Sequence, residues 1–149
     1  MFQGRFEHTI DEKGRLAIPS AFRKRLMGDA DEGTVMLTIW DQCLAAFPLH
    51  EWEAKLTAIS KMNQLDPKVS LLKRLFVGCA HECQIDKAGR ILVPHELRRD
   101  AQLDKNCVIL GQIEKFEIWS AEKWHQTFNQ LADQVGDVFA ALAGSGVQI

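Results

Sequence analysis

Ile10-Asp11-Glu12-Lys13-Gly14-Arg15-Leu16-Ala17-Ile18-Pro19 decides the fold, because the chain writes it again as Ile85-Asp86-Lys87-Ala88-Gly89-Arg90-Ile91-Leu92-Val93-Pro94. Ile, Asp, Gly, Arg and Pro coincide, and Leu16/Ile91 and Ile18/Val93 match in type. The likeness runs on through Phe22-Arg23-Lys24 against Leu97-Arg98-Arg99. After a shorter loop in the second copy it resumes with Phe47 against Trp119, Glu51 against Lys123 and Trp52 against Trp124. Nearly the whole chain is one unit used twice.

Each copy predicts the same elements. Phe6, His8 and Ile10 alternate as a strand does. Asp11-Glu12-Lys13-Gly14 is a tight turn, with Asp at its start and Gly where positive φ is needed. Leu16–Ile18 returns as a second strand, so this is a β-hairpin, and Pro19 ends it because proline cannot donate a ladder hydrogen bond. Ser20 is expected to cap a short helix over Ala21–Met27. Gly28–Gly33 is a loop, and Val35–Trp40 with Leu44–Phe47 forms a second hairpin. The matching pieces of the second copy are Cys79–Ile85, Arg90–Val93, His95–Ala101, Val108–Ile113 and Phe116–Trp119.

Helices fill the rest. Leu49–Met62 places Trp52, Leu56 and Ile59 on one face. Asp66 and Pro67 read as cap and first residue of a helix running towards Phe76. Ser120 caps a last helix through about Leu142, striped by Trp124, Phe128, Leu131, Val135, Val138 and Phe139. Its apolar stripe is expected to bury against a sheet or a neighbouring subunit. The implied division is 1–48 first repeat, 49–76 linking helices, 77–120 second repeat, 121–143 C-terminal helix and 144–149 loose tail. Each half is too small for a generous core, so the two are expected to pack as an α+β pseudo-dimer around interleaved hairpins.

Composition narrows the function. Of 149 residues, 46% are hydrophobic and 26% charged, as in globular proteins. No apolar run approaches the roughly 18 residues that span a bilayer, and the N-terminus lacks a signal core. A cytoplasmic protein without a membrane role is expected. The formal net charge is -2, so any nucleic-acid binding must rest on local charge. Cys43 and Cys107 lie in apolar surroundings and read as core residues. Cys79-Ala80-His81-Glu82-Cys83 has the alternation of one strand face and no second ligand pair at zinc-site spacing, so no metal is expected.

Catalysis is disfavoured. His8, Asp11, Glu12, Cys43 and His50 set up no nucleophile–base–orienter arrangement. There is no P-loop, dinucleotide motif or metalloprotease helix, and no cofactor or small-molecule ligand is indicated. The element that repeats is Asp-x-x-x-Arg across the turn: Asp11 with Arg15 and Asp86 with Arg90. Alone, such a pair is most often a solvated surface pair.

With the opening Met1-Phe2-Gln3-Gly4 and the two tryptophans at Trp52 and Trp124, these motifs resemble the MraZ family of bacterial transcriptional regulators. The resemblance covers the chain from Phe2 to the last helix. It implies a duplicated swapped-hairpin β-barrel of the AbrB/SpoVT type, double-psi-like, with peripheral helices. It implies a DNA-binding regulator, with repression as the expected sign, of the division and cell-wall gene cluster and of its own gene. It further implies a ring-shaped homo-oligomer, an octamer being one such ring, bound to short direct repeats of promoter DNA and so nucleoid-associated. A single-repeat antitoxin or scaffold of the same fold fits less well, because the repeat is doubled and the C-terminal segment is helical and apolar-striped.

Charge ranks the candidate contacts. Arg5, Lys13, Arg15, Arg23, Lys24 and Arg25 outnumber Glu7, Asp11 and Glu12 in the first copy. In the second, Lys87, Arg90, Arg98 and Arg99 are offset by Glu82, Asp86, Glu96, Asp100 and Asp104. Arg15 is therefore expected to read a guanine edge, with Lys13 beside it, Asp11 orienting it and Gly14 shaping the turn. Arg5, Arg23, Lys24 and Arg25 are candidate phosphate or interface contacts. Lys87, Asp86 and Arg90 are the weaker counterparts. On this reading copy one leads, and Arg90→Ala weakens binding less than Arg15→Ala.

Overall fold

The computed structural model describes residues 1–28 and 31–146. Eight strands form in chain order: β1 Arg5–Thr9, β2 Arg15–Ala17, β3 Thr34–Trp40, β4 Cys43–Pro48, β5 His81–Gln84, β6 Arg90–Leu92, β7 Asn106–Gly111 and β8 Phe116–Ser120. The helices are α1 Ser20–Leu26, α2 Leu49–Ser60, α3 Pro67–Leu72, α4 His95–Asp100, α5 Ala121–Leu131 and α6 Val135–Leu142. A π-helical turn, Lys73–Val77, extends α3, and a 3-10 turn, Ala132–Gln134, separates α5 from α6.

The strands pair across the copies. The antiparallel six-stranded sheet runs β1-β7-β8-β4-β3-β5, and β2 and β6 make a separate two-stranded ribbon. First-copy β1 thus lies on second-copy β7, and second-copy β5 lies on first-copy β3. Within the first predicted hairpin only an isolated bridge, Ile10 to Leu16, joins the two arms. The second-copy arm β5 likewise leaves its own return strand and pairs elsewhere. Interleaving is how two small halves share one core. The sheet is open, with β1 and β5 at its edges, so a closed barrel is not what the strand pairing gives.

Alternation sorts the sheet's two faces. One face carries Phe6, Leu37, Leu44, Ala46, Ile109, Phe116 and Ile118, and packs under the ribbon's Leu16 and Ile91 with Phe22 and Leu26 of α1 and Leu97 of α4. The Met-Phe-x-Gly opening closes this core. Phe2 is 1% exposed and meets Phe22 edge-on at 5.1 Å between ring centres. Its backbone exchanges hydrogen bonds with Ile113, and Gly111 lacks the Cβ that would collide with the Gln3 backbone.

The other face divides in two. Ala45 and Phe47 pack beneath Trp52 and Ile59 of α2 and Phe76 of the π-helical turn. Val108, Leu110 and Trp119 pack beneath Trp124 of α5. The predicted equivalence of the tryptophans holds in space: Trp52 packs tilted against Phe47 with ring centres 5.9 Å apart, and Trp124 meets Trp119 edge-on with ring centres 5.5 Å apart. Between the two covers a buried ion pair fills the gap. Lys115 Nζ donates to Glu117 Oε2 at 3.1 Å and lies over the Trp40 ring, while Trp119 Nε1 donates to Glu117 Oε1.

Several local expectations change. Pro19, not Ser20, is the N-cap of α1, and Pro94 has the same role at α4. Proline's fixed φ already suits the extended cap position, so Ser20 enters the first turn. Asp66 does cap α3, accepting from Lys68 N, and Ser120 caps α5, accepting from Lys123 N. The long C-terminal helix breaks at Ala132–Gln134, ahead of Gly136. No buried residue there holds it straight, and Asp133 and Gly136 are the poor helix formers beside the break. The segment expected to be a loose tail begins as a 3-10 turn, Ala143–Ser145, and residues 147–149 of that expectation lie outside the described residues.

Cys83 and Cys107 face the main core, and burial raises their thiols to about 11 and about 12. Cys43 packs on the opposite face, and its thiol is also raised, first by burial and then by Glu117. Such thiols stay protonated and inert near neutrality.

Candidate nucleic-acid interface

The ribbon sets the site. Its register pairs Arg15 with Leu92, Leu16 with Ile91 and Ala17 with Arg90. Alternation turns Leu16 and Ile91 into the core and leaves Arg15, Ala17, Arg90 and Leu92 on the outer face. The two arginines therefore lie diagonally across a pseudo-twofold axis through the Leu16–Ile91 pair. The turns cap opposite ends, where Val93 N donates to Gly14 O and Ile18 N donates to Gly89 O.

Each turn is built by its aspartate. Asp11 Oδ1 accepts from Lys13 N at 3.0 Å and Arg15 N at 2.9 Å, and Oδ2 accepts from Arg15 Nε at 2.7 Å. Asp86 Oδ1 accepts from Ala88 N and Arg90 N, both at 2.9 Å, and Oδ2 accepts from Arg90 Nε at 3.2 Å. These bonds hold both carboxyls below the ordinary carboxylate range, the backbone N–H of Arg15 or Arg90 having the largest effect. Each arginine is gripped at Nε, and among the described residues its terminal nitrogens make no hydrogen bond, which leaves them available as a two-pronged donor.

Gly14 and Gly89 adopt φ of +89° and +77°, the left-handed region that favours glycine. What covers them joins the copies. A Cβ at Gly14 would stand 2.9 Å from the Arg98 guanidinium carbon, and a Cβ at Gly89 would collide with the Arg23 guanidinium. Arg98 also donates from Nε to Val93 O at 3.1 Å. Each helix thus lays its arginine over the other copy's turn.

This exchange regroups the charges. Turn one gathers Lys13, Arg15 and second-copy Arg98 beside Asp11 and Glu12, with Asp104 and Lys105 flanking the same groove. Turn two gathers Lys87, Arg90 and first-copy Arg23 and Lys24 beside Asp86. In space turn two is at least as basic as turn one, so the ranking along the chain does not carry over to the folded ribbon.

Two candidates leave the group. Arg5 sits at the far end of β1, about 20 Å of strand from Asp11, and its guanidinium lies 5.4 Å from the centre of the Phe128 ring. Arg25 packs 4.8 Å from the centre of the Phe2 ring and acts in the core. Arg98 is the residue that sequence reasoning passed over. Its signal was its alignment with Arg23.

Among the described residues, no cluster of three or more His, Cys, Asp or Glu is arranged to hold a metal ion. No helix there is long and apolar enough to cross a membrane.

The family described as "MraZ protein, putative antitoxin-like" matches residues 1–75 and again residues 76–141. The chain belongs to the MraZ family. It is 43% identical over 136 residues to the transcriptional regulator MraZ of Alkalilimnicola ehrlichii, covering 90% of each chain. It is 41% identical to that of Desulfosudis oleivorans, covering 92% of each, and 37% identical to that of Shewanella pealeana, covering 87% of this chain and 86% of that one. MraZ proteins are transcriptional regulators rather than enzymes, and the twofold match has the period of the repeated turn motif.

Proposed function

We infer that the chain is a sequence-specific DNA-binding regulator whose reading element is the β2–β6 ribbon with its two turns. The observation that carries this is the pair of outward, Asp-held arginines, Arg15 and Arg90, on one two-stranded ribbon. A major groove admits a two-stranded ribbon, and an arginine presenting two nitrogens matches guanine O6 and N7. Asp11 and Asp86 pre-set each guanidinium, so little rotamer freedom is lost on binding. Lys13, Lys87, Arg23, Lys24 and Arg98 are placed for phosphates, which set orientation and salt dependence. Because the turns exchange their covering arginines, both contribute comparably.

The interleaved strands support the family's swapped-hairpin core, with 1–48 and 77–120 as its repeats, 49–76 as linking helices and 121–143 as a C-terminal helix. A ring of such chains, whether eight or another number, presents ribbons at a regular spacing, which matches short direct repeats better than a palindrome. The target is promoter DNA of the division and cell-wall cluster, the protein's own gene included, with repression as the expected sign and a cytoplasmic, nucleoid-associated location.

Footprinting on the DNA upstream of the gene tests this. Protection of short direct repeats is expected, with affinity falling linearly in log–log form with salt. Absent protection, or a flat salt response, contradicts it.

A further inference from the structure

The outer face of the ribbon carries an apolar side chain that the arginine contacts leave unused. Alternation puts Arg15, Ala17, Arg90 and Leu92 on that face. Leu92 is 58% exposed and belongs to none of the buried apolar clusters, although its neighbours Ile91 and Val93 are 1% and 0% exposed. Its carbonyl oxygen accepts from Cys83 Sγ at 3.5 Å, so the backbone is tied to β5 while the side chain projects into water. A lone exposed leucine is ordinary. Its place is what distinguishes this one, because Leu92 is the register partner of Arg15.

The same register makes the two arginines unequal in their company. The pseudo-twofold axis through Leu16 and Ile91 relates Leu92 to Ala17, so Arg15 has a leucine across from it and Arg90 an alanine. Directly opposed residues of an antiparallel pair hold their Cβ atoms about 5 Å apart. Bases follow one another every ~3.4 Å along a strand of DNA. A leucine beside an arginine on guanine therefore lies one or two base steps away from that guanine. Leucine can neither donate nor accept a hydrogen bond, so it gains nothing from a phosphate, and covering an unpaired base-edge donor or acceptor would be unfavourable. The apolar group that the major groove presents is the 5-methyl of thymine.

We propose that Leu92 reads a thymine methyl next to the guanine taken by Arg15, and that Ala17, which ends at Cβ, stops short of the equivalent contact beside Arg90. This deepens the DNA-binding reading above and rests on it. Each chain then reads guanine with a thymine neighbour at one turn and guanine without a fixed apolar neighbour at the other. The contact is uncharged, so it sets selectivity and leaves the salt dependence to the basic residues.

The test replaces the thymines of the repeat-containing DNA upstream of the gene, one at a time, by deoxyuridine. This removes the 5-methyl and keeps every hydrogen-bonding group. Wild type, Leu92→Ala and Leu92→Gln are titrated on each fragment by fluorescence anisotropy. Wild type is expected to lose about three- to fivefold at a thymine within two base steps of a guanine, which is what one methyl-sized apolar contact is worth. Leu92→Ala is expected to bind the thymine fragment more weakly by a similar factor, to bind that fragment and its deoxyuridine twin equally, and to keep the wild-type salt slope. Leu92→Gln keeps the side chain's length without its apolar end, and the same indifference to the methyl is expected. Wild type that is insensitive at every thymine, or variants that keep the full methyl preference, overturn the thymine contact and leave the ribbon standing as the reading element. The wild-type scan is made on the unaltered protein and decides the matter even for a variant that folds poorly. Wild type that binds none of the fragments overturns both readings.

Discussion

The turn at Asp11–Arg15 and the turn at Asp86–Arg90 share a geometry and differ in their neighbours. In both, one carboxylate binds two backbone N–H groups and one arginine Nε. The first grip is tighter, 2.7 Å against 3.2 Å. The second turn lacks a partner for Lys13, since Ala88 takes its place, yet it receives Arg23 and Lys24 from the other copy. Charge read along the chain makes copy one the stronger DNA contact. Charge read in space makes the two turns near equals. Interleaved copies break the link between sequence neighbourhood and electrostatic neighbourhood.

The largest effect should come from removing both readers. Arg15→Ala with Arg90→Ala is expected to cut affinity for repeat-containing DNA by about 30-fold or more in a fluorescence anisotropy titration, as each lost arginine–guanine contact costs about 1–3 kcal/mol. Its melting temperature and mass should stay near wild type, because both side chains face outward. Retained affinity would remove the ribbon from the interface.

Next come the glycines, which separate the two turns by stability. Gly89→Ala and Gly14→Ala each force a side chain into the left-handed region, at about 1–2 kcal/mol. Gly89→Ala should be the more damaging in a urea titration, because its Cβ meets the Arg23 guanidinium harder than the Gly14 one meets Arg98. The reverse order would mean that Arg23 swings away freely.

The exchange itself predicts who couples with whom. Arg23→Ala should interact with Arg90→Ala in a double-mutant cycle on DNA binding and be additive with Arg15→Ala. Arg98→Ala should show the mirror pattern. Coupling confined within each copy would contradict the exchanged covers.

The smallest effect concerns pH. Both aspartates have lowered pKa values, so the turn's contribution is fully present above the unfolded carboxylate range near pH ~4 and fades as pH falls through the lower folded values. Asp11→Asn and Asp86→Asn should flatten this acid limb of the stability profile. An unchanged limb would place the acid sensitivity elsewhere.

Local structure was legible where residues decide it alone. Asp and Gly at fixed offsets gave both turns, Asp66-Pro67 and Ser120 gave two helix starts, and alternation gave the second hairpin. Strand partnership was not legible. Nothing in Phe6-Glu7-His8 says that it pairs with Val108 and Ile109 of the other copy, because either partner offers the same alternation. The Arg98 contact was hidden for the same reason, as it crosses the chain by more than eighty residues of sequence separation. The ribbon's outward arginines were legible as residues, and their placement on a single ribbon was not.

The central claim is that both turns act together on DNA, and the most direct measurement is a side-by-side titration of Arg15→Ala and Arg90→Ala on the same repeat-containing promoter fragment at one salt concentration. Losses within about threefold of each other, each roughly 5- to 150-fold from wild type, are the expected result. A large loss from Arg15→Ala with Arg90→Ala at wild-type affinity would contradict it and restore the unequal copies suggested by charge along the chain.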